Sequence, residues 1–179
     1  QVISTQLNRG WSVYACDLDG DGDNDVLSAS VLDGKIAWYE NLGGTFGIQQ
    51  VITTQAQYAR SVYACDLDGD GDNDVLSASY SDDKIAWYEN DGAENFTEIL
   101  ISSSAAGAEK VYAIDLDGDG DVDVLSASNA DCVPSGSRSD TPFPLMARRA
   151  ISFASWTSGW SKGLTPRIYP LIPQAFSNI

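Results

Sequence analysis

Nine residues, Asp17-Leu18-Asp19-Gly20-Asp21-Gly22-Asp23-Asn24-Asp25, put a carboxylate at every second position of a short segment. Alternate residues of a tight loop converge on one point, so Asp17, Asp19, Asp21 and Asp25, at positions 1, 3, 5 and 9, can aim oxygens at a common centre. Gly22 at position 6 permits the sharp turn, and Asp23 at position 7 offers its backbone carbonyl. Five carboxylates this close repel one another unless a cation neutralises them. Hard oxygen donors in that number suit Ca2+ better than Mg2+, which demands a tighter octahedron and retains its water. The pattern returns twice: Asp66, Asp68, Asp70, Asp72 and Asp74 form a second loop, and Asp115, Asp117, Asp119, Asp121 and Asp123 a third.

The residues around the loops set what must hold them. Position 12 of an EF-hand is a Glu at the start of a helix, whereas here it is Ser28, Ser77 or Ser126 inside the run DVLSAS. The loops therefore join strands, which argues against a sensor that works by moving two helices. SVYACDLDGDGDNDVLSAS runs from Ser12 to Ser30 and again, unchanged, from Ser61 to Ser79, and VYAIDLDGDGDVDVLSAS runs from Val111 to Ser128, so the period is 49 residues. Within one period Ser61–Cys65, Val75–Ser79, Lys84–Glu89 and Phe96–Ile101 read as four strands, separated by the acidic loop, Ser81-Asp82-Asp83 and Asn90-Asp91-Gly92. A four-stranded antiparallel meander at this period predicts an all-β fold, a β-propeller fragment of four-stranded blades with an irregular C-terminal tail.

Gln1–Gln6 aligns with Gln50–Gln55, so the chain opens inside a repeat, and we read it as a piece of a longer protein. The expected organisation is the last strand of a preceding blade over residues 1–11, blades over 12–60 and 61–109, a partial blade over 110–130, and a non-repeat tail, linker or artefactual, over 131–179. All six prolines fall in that tail, and nothing resembling KIAWYEN follows Ser128.

Composition excludes several functions. Residues 1–130 hold 24 of the 26 acidic residues and five of the ten basic ones, which disfavours a nucleic-acid partner. Histidine is absent, removing the usual general base and the commonest zinc ligand. No apolar stretch is long enough to span a bilayer as a helix. Cys16 and Cys65 occupy the slot held by Ile114 and read as core thiols. Ile36 and Trp38 share one strand face and Ala37 and Tyr39 the other, so these aromatics, with Trp87 and Tyr88, read as packing between blades, and Lys35 and Lys84 as solvated edge charges.

DLDGDGDxDVL followed by IAWYEN, Asp91-Gly92 and Phe96-Thr97 resembles the VCBS and FG-GAP type repeats, related in loop pattern to the integrin α-subunit propeller, over residues 1 to about 130. The VCBS form is the nearer: Ala59-Arg60 stands where Phe-Gly would, and Ser-Ala-Ser replaces Gly-Ala-Pro. The resemblance implies a calcium-binding propeller of secreted or cell-surface proteins, with Ca2+ in the loop between a blade's first two strands. The expected role is a non-catalytic adhesion or ligand-binding module, completed by the remaining blades of the parent protein and facing an extracellular carbohydrate or protein ligand. The alternatives are the propeller portion of a calcium-dependent polysaccharide lyase or hydrolase, and a structural spacer.

Overall fold

A strand buries one face only if a neighbouring layer covers it, and here the layers are successive repeats of the same residues. The computed structural model describes residues 1–129 and 150–154. The first sheet runs β1 (Gly10–Cys16), β2 (Asp25–Ser30), β3 (Lys35–Tyr39) and β4 (Gln50–Thr53), antiparallel and in chain order. The second repeats it with β5 (Ala59–Cys65), β6 (Asp74–Ser79), β7 (Lys84–Asn90) and β8 (Phe96–Ser102). The third comprises β9 (Ala108–Ile114), β10 (Asp123–Ser128) and β11 (Ala150–Ala154). The described residues contain no helix. These are the expected antiparallel blades, and the ring is not closed within the described residues.

The cores lie between blades. Leu18, Leu27, Ala29, Ile36 and Trp38 of the first blade meet Ala59, Val62, Ala64, Val75, Ala86 and Tyr88 of the second. The next interface repeats the list 49 residues on, with Leu67, Leu76, Ala78, Ile85 and Trp87 against Ala108, Val111, Ala113 and Val124. Trp38 and Trp87 are 1% and 4% exposed, packing aromatics rather than surface platforms. The second interface has no described counterpart of Ala86 and Tyr88, and a cavity of about 140 Å³ lined by Ile85, Ile101, Ala105 and Val124 lies there. Along the inner strands Tyr14, Tyr63 and Tyr112 form a ladder with ring centroids 4.8 and 4.7 Å apart.

The lead-in to each blade's first strand also keeps the period. The Val31 amide donates to the Arg9 carbonyl, Tyr80 to Tyr58, and Asn129 to Gly107. Arg9, Tyr58 and Gly107 all take positive φ, at 62°, 62° and 66°. The geometry belongs to the position, and only the third repeat gives it the residue that adopts it without strain.

Three expectations change. Residues 1–9 contain no strand, and Gly10 and Trp11 already belong to β1. A final blade strand needs a third strand to pair with, and no preceding one exists among the described residues. The tail is not wholly without strands: β11 pairs parallel with β10, so it does not continue the antiparallel register. The outer edge of β10, lacking a KIAWY strand, offers free amides and carbonyls to any extended segment. The rest of the tail, including Cys132, lies outside the described residues. Finally, Lys35 and Lys84 are not solvated edge charges: their side chains are 19% and 12% exposed, with Lys35 3.3 Å from Asp33 and Lys84 2.9 Å from Glu98. A lysine stem can cover apolar surface while its ammonium group meets a carboxylate at the margin.

One register position gives a direct test. Leu18 and Leu67 are each 2% exposed but Leu116 is 51% exposed, because among the described residues only the first two have a following blade. We expect Leu67→Ala to cost about 2–5 kcal/mol in denaturant unfolding and Leu116→Ala less than about 1 kcal/mol. Equal losses would contradict burial between blades.

Candidate metal centre

Each acidic loop leaves the end of an inner strand and enters the next strand, so β5 and β6 fix both ends of Asp66–Asp74. Inside the loop the carboxylates hold its own backbone. The Gly69 and Gly71 amides donate to Asp66 Oδ1 and Oδ2 at 2.7 and 3.1 Å, Asp70 N donates to Asp68 Oδ1 at 3.2 Å, and Asp72 N to Asp70 Oδ1 at 2.9 Å. Asp17 accepts from Gly20 and Gly22, and Asp115 from Gly118 and Gly120, in the same way. Two glycines make this winding possible. Gly69 and Gly71 have φ of 82° and 102°, where any other L-residue costs about 1–2 kcal/mol. Position 4 therefore needs glycine as much as position 6, which sequence reasoning alone had singled out.

The aspartate at position 9 also anchors the loop. Asp74 is 1% exposed; its Oδ2 accepts from Leu67 N at 3.1 Å and its Oδ1 from Asn90 N at 2.8 Å. Asp25 repeats this with Leu18 and Asn41, and Asp123 accepts from Leu116. This carboxylate pins the loop to the turn after the third strand. Asn90, 2% exposed, extends the tie to the neighbouring blade, its Nδ2 donating to the carbonyl of Leu18 there and to that of Asn73 in its own blade. Asn73 Nδ2 in turn donates to the Asp17 carbonyl at 2.7 Å. Neither asparagine was singled out from sequence, although Asn41 and Asn90, and Asn24 and Asn73, recur in register.

Carboxylate oxygens come together in all three loops: those of Asp17, Asp19 and Asp25, of Asp66, Asp68 and Asp70, and of Asp115, Asp117 and Asp123 lie within 4.8 Å of one another in each group. Positions 1 and 3 belong to every group, joined by position 5 or position 9. Asp21, Asp74 and Asp119 stand outside these groups, as do Asp23, Asp72 and Asp121 at position 7. Asp72 lies beside the turn after β7, where a Cβ on Gly92 would meet its Oδ2 at 2.5 Å. The donor set is all oxygen and anionic, the chemistry of a hard cation site.

Burial raises the carboxyl of Asp25. Asp68 is raised too, by burial and by the charges of Asp70 and Asp66. Cys16 and Cys65 are free thiols pushed up to about 12, first by burial and then by neighbouring aspartates, so they are protonated and inert at neutral pH.

The FG-GAP-like repeat family model matches this chain twice, over residues 17–77 and 66–126. The chain belongs to the FG-GAP-like repeat family. Each match starts at position 1 of an acidic loop and ends in the second strand of the next blade, so the FG-GAP-like unit spans one whole interface between blades. All three loops lie inside the matched FG-GAP-like residues. Among curated proteins the chain has no match. No helix among the described residues is long and apolar enough to cross a membrane.

Asp74 supplies a pH test of the loop anchor. Burial pushes its carboxyl from 3.8 up to about 6, against the pull of the Asn90 and Leu67 amides. Because the folded value lies above the unfolded one, this group favours the cation-free fold fully below about pH 4, and that contribution is lost as pH rises through about 6. A carboxyl carbon NMR titration in chelator should give Asp74 a midpoint near 6. A midpoint at the ordinary aspartate value would contradict the buried anchor.

Proposed function

We propose that this chain is a calcium-binding, non-catalytic propeller module of a secreted or cell-surface protein, in which the cation rigidifies the rim loops of a surface that binds carbohydrate or protein. The observation that carries the reading is the triple recurrence of carboxylate groups whose oxygens lie within 4.8 Å. In the second loop Asp66, Asp68 and Asp70 would hold the ion, with Asp74 anchoring the loop behind them and Asp72 offering its backbone carbonyl. Calcium supplies charge neutralisation, relieving repulsion that the folded loop concentrates and an unfolded chain relaxes.

The same geometry weighs against acid catalysis. Asp74, whose raised carboxyl would otherwise suit that role, is 1% exposed and accepts an amide on each oxygen, out of reach of a substrate. The affinity expected of such loops supports a place outside cells. Loops without a bidentate Glu at position 12 fall in the weaker range, roughly 10 micromolar to 1 millimolar, which fills in extracellular fluid.

Thermal unfolding with calcium, with magnesium and with chelator tests the reading. Binding to the folded form alone adds about 2.7 kcal/mol per site at a hundredfold excess over Kd, so calcium should raise the melting temperature well beyond magnesium. Asp70→Ala should remove part of that gain and Asp72→Ala much less of it. Superimposable curves in all three conditions would end the proposal.

A further inference from the structure

Asn95-Phe96-Thr97 is the one place in the sequence where an asparagine stands two residues before a serine or threonine with no proline between them. That pattern, an amide and a hydroxyl two residues apart, is what an N-linked oligosaccharide transfer recognises. The same letters occur by chance in chains that never carry sugar, so the fold must decide whether the amide can be reached.

The turn over residues 91–95 leaves β7 and enters β8, and it closes where Asp91 N donates to the Asn95 carbonyl at 3.3 Å. Side chains alternate between faces along an extended segment. Asn95 and Thr97 are both exposed, whereas Phe96 between them packs on the core between the first two blades. Amide and hydroxyl thus stand together on the outside. This exposure belongs to the turn itself. In the first blade Asn41 pairs with Phe46 as Asn90 pairs with Phe96, which puts Thr45 in the place of Asn95. Thr45 is exposed too, with the complete four-stranded blade β5 to β8 beside it.

We propose that Asn95 is an N-glycosylation site, an assignment that rests on the reading of the chain as secreted or cell-surface. The co-substrate is a lipid-linked oligosaccharide pyrophosphate. Asn95 Nδ2 forms a bond to C1 of the first sugar while the bond from C1 to the pyrophosphate oxygen breaks. The lipid pyrophosphate leaves with that electron pair, and one Nδ2 proton passes to a base of the transferase. The local hydrogen bonding tolerates the product. Asn95 Nδ2 donates to Asp91 Oδ1 and Oδ2 at 3.2 and 3.0 Å, and a glycosylated amide keeps one N–H, so one of these bonds survives. Gly92 of the same turn lies against Asp72, which places the sugar on the rim that carries the acidic loops.

The test expresses the whole chain behind an added secretion leader in animal cells and reads the medium and the lysate together. The wild-type chain should lose mass on peptide-N-glycosidase treatment. In heavy-oxygen water that treatment should convert Asn95 to a labelled aspartate, located by peptide mass spectrometry. Asn95→Gln and Thr97→Ala should each run, untreated, like the deglycosylated wild type, and Thr97→Ser should keep the shift. Thr97→Ala leaves the bonds between Asn95 and Asp91 in place, so it decides the matter if Asn95→Gln misfolds. A wild type without sugar in both fractions would overturn the assignment, as would sugar that persists on Thr97→Ala. Because the leader supplies the route, such a failure counts against the site alone, and the melting curves in calcium, magnesium and chelator test the propeller reading separately.

Discussion

A carboxylate that is 1% exposed, at the first residue of a blade's second strand, ties together the parts that matter in this protein. Asp74 accepts from the amide of Leu67 at the start of the acidic loop and from the amide of Asn90 at the end of β7, segments that would otherwise leave donors unpaired in a buried place. Without it the loop would have no fixed position over the blade, and the converging carboxylates of Asp66, Asp68 and Asp70 would be a mobile string of charge. The burial that makes the anchor strong also raises its carboxyl, as it raises that of Asp25, so electrostatic cost is built into the fold at the first two loops.

The second constraint is that no blade covers its own faces. Every residue of the core between the first two blades has its partner 49 positions away in the next core, apart from the places where the third blade lacks a described KIAWY strand. Local pairing within a blade and packing between blades are thus specified by one set of residues. Leu18, Leu67 and Leu116 share sequence context and differ in burial only because of what lies beyond them.

Much of this was legible in the sequence. The strands over Lys84–Asn90 and Phe96–Ser102 fall within a residue of their expected bounds, because alternation and Asp-Gly turns mark them. The interblade role of Trp38 followed from strand parity. What escaped reading depends on contacts made across long stretches of chain. Ligand spacing treats position 9 as one carboxylate among several, and only the fold shows that its oxygens meet amides 7 and 16 residues away. Lys84 is indistinguishable from a surface lysine until Glu98 on β8 is placed beside it. The parallel pairing of β11 has no local signal, since it arises from an open edge of β10 and not from a repeat.

The anchor and the three carboxylate groups together support the proposal that each loop is a preformed cation site. Native mass spectrometry of the intact chain, titrated with calcium and separately with magnesium after removal of bound metal, counts ions directly. The account predicts three calcium ions per chain at saturation, one for each carboxylate group, and weaker uptake of magnesium. A chain that stays metal-free at millimolar calcium, or that takes up both ions alike and without a defined number, would contradict it.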